Sequence, residues 1–321
     1  MSYGMRGDLL VQFQNSYGTP LTSSQFAVPF LREGLRWQEA QLEEGNMYQR
    51  FAEGPRHRGP WSVAGDVALD ADPRGMGFAI RSVLGQSVTT SGTNTSAHVM
   101  EPKQTDFDAG VAALTPLTAE VNRDVGSAFQ YSDLLGNTLG LQIRHGQLLG
   151  VTWGLVGAGF TRKAAATPSF AVTPPFKWDQ CSFNWNAVAI TEVRELSLTV
   201  NNNLEAVHTL VASRSPRKIM RGGMQTVELT GTLAFEQHSY FDWYDAGSEF
   251  PMTLHLAGQA PSTLLIDMPK VRLLSFEPVV AGPGRVEAAF TARAMYHVSS
   301  LTAIRFTLTN CQRYYVPADV A

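Results

Sequence analysis

The chain has 321 residues, and 25 Lys and Arg stand against 28 Asp and Glu, a formal net charge of −3. This balance offers no excess positive charge for holding nucleic acid by its phosphates. Charged residues make up 17% and hydrophobic residues 44%, which excludes intrinsic disorder, because disorder needs high charge and low hydrophobicity. The length predicts two domains. A surface this poor in charge also hints that part of it is covered in an assembly.

Cysteine usage and the apolar runs exclude several further classes. Cys181 and Cys311 are the only cysteines, too few for a disulfide framework or a CxxC zinc site, and we expect two free thiols rather than a bridge. No basic stretch followed by an apolar one opens the sequence, so we expect no secretory signal. The longest mostly apolar run, about 148–160, is shorter than the ~20 residues that a membrane span needs.

Short segments in which apolar and polar residues alternate recur along the chain. They include 196–200, 227–235, 286–296 and 304–309. Such alternation indicates strands with one buried and one solvated face, which is typical of antiparallel sheets and not of parallel ones. The sequence therefore predicts a mainly β protein.

Two short helices are predicted, over about 72–84 and 238–246. Asp72 suits an N-cap and Pro73 the first helical position, and each helix ends at a glycine. Each also directly follows a strand with an internal glycine; the strand and stop glycines are Gly65 and Gly85, then Gly231 and Gly247. We expect apolar side chains of both helices to cover one end or face of a β domain; these are Phe78, Ile80 and Leu84, then Tyr240, Trp243 and Tyr244.

The repeated strand and helix predict an internal duplication, with domains at 1–170 and 171–321. Gly85 and Gly247 are 162 positions apart, whereas segment 139–157 lies without gaps over 264–282 at an offset of 125. The difference of 37 predicts extra residues in the first copy, an insertion at about 86–138 made of long loops with a few strands.

A long, irregular, basic-tipped segment precedes each glycine-bearing strand. We name residues 43–61 the first arm and residues 201–223 the second arm. Neither shows a core pattern, so they are either solvated loops or arms that reach a neighbouring subunit. The candidate contact residues are Arg50, Arg56 and Arg58 in the first arm and Arg214, Arg217, Lys218 and Arg221 in the second.

Patterns of catalytic and ligand-binding residues are weak. None of the seven histidines belongs to an HExxH motif. The cluster of Asp66, Asp70 and Asp72 offers a cation site, but a strand end and a helix cap explain it more simply. The glycine run at 154–159 lacks GxGxxG spacing and predicts a β-bulge or turn. We therefore predict no catalytic residue, no cofactor and no metal site.

The order of these features resembles a known family. Strand VELTGTLAF (227–235), helix SYFDWYDAG (239–247) and hairpin LLIDMPKV (264–271) follow the second arm, and GPWSVAGDVALDADPRGMGFAIRSVLG (59–85) has the parallel order. Over roughly 25–310 the chain resembles the tail tube proteins of tailed bacteriophages, in the larger form with two copies of the tube fold. The insertion at 86–138 departs from the simplest pattern.

The resemblance implies antiparallel β-sandwich or barrel domains, each with a short helix and a long arm, assembled into rings. Rings would stack through the arms into a hollow tube that DNA crosses without specific binding. It implies a non-enzymatic virion protein, assembled in the bacterial host cytoplasm and without a membrane partner. Its partners would be other copies of itself, a tape measure protein and tail-completion proteins.

A ring of this family built from single-copy subunits would contain six of them. With two copies in each chain, three chains supply the same six domains, so we predict three chains in a ring. The alternative is a hexamer with the second half as outer decoration. Two other function classes stay open. One is a β-rich carbohydrate- or receptor-binding tail protein, whose tryptophans would form a sugar platform unless they are core residues; the candidates are Trp153, Trp178, Trp185 and Trp243. The other is a glycan hydrolase, which needs two carboxylates ~5–10 Å apart.

Overall fold

A computed structural model describes residues 3–20, 25–46, 51–92, 94–102, 114–171, 173–280 and 282–315. The chain is mainly antiparallel β-structure with two short α-helices, which confirms the predicted fold class. No helix in these ranges combines the length and apolarity of a membrane span. Cys181 and Cys311 are free thiols, as predicted.

Among its described residues, the first half contains eleven strands and one α-helix. In chain order they are β1 Asp8–Phe13, β2 Phe26–Ala27, β3 Arg32–Glu33, β4 Arg36–Glu43, β5 Arg56–Asp70, α1 Gly75–Leu84, β6 Gly85–Ser91, β7 Ser96–Pro102, β8 Leu117–Asn122, β9 Ser127–Arg144, β10 Gly150–Gly157 and β11 Gly159–Ala164.

The second half contains ten strands and one helix. They are β12 Cys181–Trp185, β13 Val188–Ala189, β14 Val193–Asn201, β15 Leu204–Val207, β16 Lys218–Arg221, β17 Thr226–Ala234, α2 Ser239–Asp245, β18 Glu249–Ala257, β19 Thr263–Val279, β20 Glu287–Ala294 and β21 Arg305–Asn310. The predicted boundary at 170 falls in the connection between β11 and β12.

The same antiparallel strand order occurs twice. One layer runs β4-β5-β10-β9 in the first half and β14-β17-β20-β19 in the second. The other layer runs β1-β8-β9-β11 and then β12-β18-β19-β21. The long strands β9 and β19 therefore belong to both layers of their half, the first part of the strand to one and the last part to the other.

The sequence alignment at an offset of 125 was wrong. Segment 139–157 spans the end of β9, a turn and β10, whereas 264–282 follows β19 alone up to its hairpin. Strand partners give the true correspondence. Leu155 lies opposite Gly65, and Phe290 lies opposite Gly231, so β10 corresponds to β20 at an offset of 135.

The extra residues of the first half lie between α1 and β8, so the insertion at 86–138 was predicted too long. Strands β8 and β9 belong to the repeated order and are not inserted. The described part of the insertion forms the hairpin β6–β7, whose second strand pairs with β21 of the other half. The inserted hairpin therefore joins the two halves.

The strand-internal glycines permit close backbone approach. A Cβ on Gly65 would lie 2.2 Å from the carbonyl oxygen of Gly34, and one on Gly231 would lie 2.6 Å from the carbonyl oxygen of Glu195. Any side chain at either position would displace the neighbouring strand, because backbone atoms cannot yield as a flexible side chain can.

The two helices differ in burial. Nine residues of α1 are buried, among them Phe78, Ile80 and Leu84, so the helix is covered on nearly all sides. The carboxylate of Asp72 caps its first turn by accepting a hydrogen bond from the N–H of Gly75 at 2.7 Å. The helix begins at Gly75, two residues after the predicted start at Pro73. In α2 only Tyr240 is buried, Trp243 and Tyr244 are partly buried, and Phe241 is 38% exposed.

Candidate channel face and arms

The two halves share one continuous sheet. Seven residue pairs join β9 to β14, from Thr138 opposite Asn201 to Arg144 opposite Glu195. Eight strands therefore follow one another in the order β4-β5-β10-β9-β14-β17-β20-β19. Because side chains alternate along each strand, this sheet has one buried face and one polar face across both halves.

The buried face consists of large apolar residues in register across the halves. Two such rows are Val67, Trp153, Leu139, Val200 and Val227, then Leu69, Val151, Leu141, Leu198, Leu229 and Ala292. These rows bind both halves into one main hydrophobic core.

The opposite face, which we name the channel face, consists largely of hydroxyl, amide, carboxylate and glycine positions. Three of its rows are Asp66, Gly154, Thr138, Asn201 and Thr226; Ala68, Thr152, Gly140, Thr199, Glu228 and Arg293; and Asp70, Gly150, Gln142, Ser197, Thr230 and Thr291. Most of these side chains are short and polar, and they form a surface that faces solvent.

Two arginines on the channel face form ion pairs with carboxylates on the adjacent strand. Arg144 pairs with Glu195 at 2.9 Å, and Arg293 pairs with Glu228 at 3.3 Å, each across the strand ladder. Within the described ranges, neither Asp66 nor Asp70 has a salt-bridge partner. Arg36 and Arg272 also lie on this face by register and form no ion pair with a described residue, so the face carries unpaired charges of both signs.

The glycine run of β10 confirms the predicted bulge. The register between β9 and β10 shifts between Gly154 and Leu155. Gly154 lies beneath the side chains of Asp66 and Thr138, since a Cβ there would come within 2.1 Å of the Thr138 hydroxyl oxygen. These glycines lie within strands β10 and β11, and they do not form a loop of the kind that binds nucleotides.

The second arm lies against the first half of its own chain. Its hairpin, β15–β16, contributes Ile219 and Leu204 to a small apolar cluster with Leu135 and Ala158. The expectation that this arm lacks a core pattern was therefore wrong, because one face of its short hairpin is apolar. The arm connects β14 and β17 but packs beside β9 and β10.

Glu39 ties the two arms together. The side chain of this residue of β4 is only 9% exposed; it accepts a hydrogen bond from Arg58 Nε at 2.8 Å and pairs with the Arg214 guanidinium. The N–H of Trp61 also donates to the carbonyl oxygen of Arg214 at 3.0 Å. One buried carboxylate thus holds one candidate cation from each arm, and no sequence signal pointed to it.

The remaining candidate cations are placed differently. Arg56 pairs with Glu43 at 3.3 Å and Glu53 at 3.1 Å inside the first arm. Arg221 donates to the Asn202 side-chain oxygen at 3.4 Å. Arg217 and Lys218 form no ion pair with the rest of the described chain, and Arg50 lies outside it. Contacts of these cations with another ring stay predictions.

The alternative site candidates do not assemble. The Asp72 carboxylate is buried at the start of α1, where burial raises its pKa, so it is poorly suited to bind a cation. The described residues contain no cluster of three or more His, Cys, Asp and Glu that could hold a metal. Trp153 and Trp185 are fully buried in the core, so the four tryptophans form no exposed platform.

Comparison with known families agrees with this architecture. The family model described as phage tail tube protein matches residues 4–294. The chain belongs to the phage tail tube protein family. This tail tube protein is therefore a structural component of the virion tail that assembles with copies of itself into a tube. No curated protein matches the chain.

The Glu39→Gln substitution tests the junction of the arms. Loss of the shared charge should weaken docking of the second arm by about 1 kcal/mol, which increases its opening roughly fivefold. Limited trypsin digestion should then cleave after Arg217 and Lys218 several-fold faster. The matched control is Glu53→Gln, since that carboxylate is 83% exposed. Equal cleavage rates in both variants and the unmodified chain would contradict the role of Glu39.

Proposed function

We propose that this chain forms closed rings that stack into a hollow conduit for DNA, with the channel face lining the lumen. One observation carries the proposal: a continuous eight-stranded sheet, apolar on one face and polar on the other, to which both halves contribute the same four-strand order. The buried face is occupied by the core, so only the polar face is available to a lumen.

Ring closure follows from the two ends of this sheet. At one end, β4 pairs only with β5 among the described strands, and at the other, residues 275–279 of β19 pair only with β20. Strand β19 corresponds to β9 and β4 corresponds to β14. The contact between chains would therefore repeat the β9–β14 pairing, as a head-to-tail interface requires.

Three chains supply the strands of six single-copy subunits. Eight strands from each of three chains would give a barrel of 24, more than the roughly 16–18 strands that already leave an aqueous channel. A hexamer with the second half as decoration would exclude that half from the barrel sheet. The seven-pair β9–β14 ladder supports the three-chain ring, because it places both halves in one sheet.

Native mass spectrometry of a released ring tests the stoichiometry. Three chains of 35.1 kDa give about 105 kDa, and six give about 210 kDa. We expect the lower mass, with threefold and approximate sixfold rotational power in cross-sections of the tube. A ring of the higher mass would exclude the three-chain arrangement.

Passage of DNA requires a lining that does not hold phosphates. Cross-strand ion pairs occupy Arg144 and Arg293, and the unpaired Asp66 and Asp70 offset the charge of the unpaired Arg36 and Arg272 on the same face. Free lysines would bind the backbone and release counterions, which makes retention strong at low salt. The neutral-to-acidic composition of the whole chain supports the same interpretation.

Lysines introduced on the channel face should slow passage. In the double variant Thr152→Lys, Thr199→Lys, we expect normal tubes that retain labelled duplex DNA at low salt and release it at high salt. Val125→Lys is the control, because Val125 is 63% exposed in the turn between β8 and β9, away from the channel face. Equal DNA retention by both variants would argue against the proposed lumen.

Ring-to-ring stacking is assigned to the arms, with a narrower set of cations than the sequence predicted. Arg58 and Arg214 are bound by Glu39 within the chain, whereas Arg217 is exposed and has no ion pair with a described residue. We propose Arg217 and the neighbouring Lys218 as contacts with acidic groups of the next ring. Arg50 stays a candidate from the sequence alone.

The variant Arg217→Glu, Lys218→Glu should fold normally but stack less well. Each exposed pair contributes at most about 1 kcal/mol, and the loss should be greatest at low ionic strength. Tube length by negative-stain electron microscopy across a salt series measures it, with Arg6→Glu as a control distant from the arms. Tubes with unchanged length and salt resistance would count against the assignment.

Further partners follow from the proposed tube. A lumen accommodates a tape measure protein during assembly, and tube ends present unpaired rings to tail-completion proteins. We place assembly in the bacterial host cytoplasm and propose no enzymatic role. The carbohydrate- or receptor-binding alternative lacks an exposed aromatic platform in the described part of the chain, and nothing there favours a hydrolase.

A further inference from the structure

The two halves are joined by a contact between the end of the second half and α1 of the first half, and the described chain has no matching contact on α2. The segment after β21 lies on α1 of the first half. Asn310 donates to the carbonyl oxygen of Pro73 at 2.6 Å, and the Tyr315 hydroxyl donates to that of Arg74 at 2.8 Å. The second half thereby covers the helix of the first half.

A small residue on the helix receives the large residue of this segment. A Cβ on Gly77 would lie 2.1 Å from Cζ of Tyr315, so the ring rests directly on the glycine. Tyr315 is 1% exposed and meets Phe78 edge-on, with ring centroids 5.1 Å apart. Glycine at this position is therefore required for the tyrosine to dock.

Counted from the start of each helix, α2 has a large residue where α1 has Gly77. Gly77 is the third residue after the N-cap Arg74, and Phe241 is the third residue after the N-cap His238. Phe241 is 38% exposed, and its nearest aromatic contact is Tyr244, with ring centroids 6.0 Å apart. No described segment of the chain covers Phe241 as Tyr315 covers Gly77.

The strand that corresponds to β21 is β11, which pairs with the first part of β9 as β21 pairs with the first part of β19. It ends at Ala164 and is followed by Ala165 and Ala166. The N–H of Ala166 donates to Glu120 at 2.8 Å and turns the chain back onto its own half. Ala164 and Ala165 are left exposed at this corner.

We propose that Phe241 of one chain packs on Ala164 and Ala165 of a second copy, at the place that corresponds to the contact between the segment after β21 and α1 within the chain. Within the chain, the helix supplies the small residue and the end of the strand segment the large one. Between chains, the helix supplies the large residue and the strand end the small ones. The contact continues the β19–β4 junction and rests on the proposed ring.

The inserted hairpin explains why the two junctions differ. Within the chain, β7 pairs with the outer edge of β21 and helps to cover α1. The corresponding connection after α2 has only residues 246–248 before β18 begins. It cannot supply a hairpin, so the junction between chains depends on α2 and the end of β11. This junction is therefore the weaker of the two and the site at which chains separate.

Disulfide trapping tests the contact directly. In a background with Cys181→Ser and Cys311→Ser, the pair Phe241→Cys and Ala165→Cys should form interchain bonds in assembled rings under mild oxidation. Three bonds in a closed ring give a covalent trimer on a denaturing gel. The pair Phe241→Cys and Thr152→Cys is the control, because Thr152 lies on the channel face, and it should stay monomeric.

Alanine substitutions distinguish the contact between chains from the contact within the chain. Phe241→Ala should leave the thermal midpoint of the monomer unchanged but raise the concentration of half-assembly roughly tenfold or more, as loss of a buried aromatic anchor does. Tyr315→Ala should instead lower the thermal midpoint of the monomer, since its contact lies within the chain. Assembly is measured by sedimentation velocity.

The outcomes distinguish this contact from the ring itself. Rings of the unmodified chain with no covalent trimer, together with normal assembly of Phe241→Ala, would overturn the contact and leave the ring intact. Failure of the unmodified chain to form any ring would overturn both. A covalent trimer accompanied by weakened assembly of Phe241→Ala supports the contact.

Discussion

The pairing of β9 with β14 is the constraint on which the rest of the molecule depends. It satisfies the backbone of two strands that would otherwise be exposed edges, and it fixes the register in which the rows of both halves meet. Because the ladder is antiparallel and in phase, Leu139 faces the core beside Val200 while Thr138 faces solvent beside Asn201. Two separate sandwiches thus become one sheet with two chemically distinct faces. The edges left at β4 and β19 are the same kind of edge, which is why the proposed ring closes by repeating the junction and needs no second kind.

Duplication changes the energetics of such a ring. A contact within one chain forms without the loss of translational and rotational freedom that association of separate chains requires. In a three-chain ring, half of the junctions are of this intramolecular kind. The inserted hairpin β6–β7 and Tyr315 strengthen that half further, because they bury α1 and join β21 to the first half. The halves therefore differ where their partners differ, and they share one strand order where the sheet is continuous.

The sequence predicted the elements better than their partners. Alternation located the strands of the second half, and Gly65, Gly231 and the two stop glycines located the helices. The repeated order of strand and helix was predicted, but its offset was misjudged, because apolar alternation in a hairpin looks like alternation in one long strand such as β19. Glu39 was missed because a cross-strand ion pair depends on hairpin register, and the burial of α1 was underestimated because its cover comes from Tyr315, more than 200 positions away. Long-range contacts of this kind leave no local pattern.

In the proposed tube, ring assembly and DNA passage both depend on the register of the same strands. In β10, Trp153 belongs to the core and Thr152 to the channel face, and a slip of one residue would exchange them. Bulges and glycines therefore cannot be placed freely: Gly154 allows the register shift with β9 and at the same time makes room for Asp66 and Thr138 above it. On the polar face, Arg144 is held against Glu195 of the neighbouring strand. In the proposed tube, the same strand ladders thus remove two cations that would hold a polyanion, because Arg144 lies opposite Glu195 and Arg293 lies opposite Glu228.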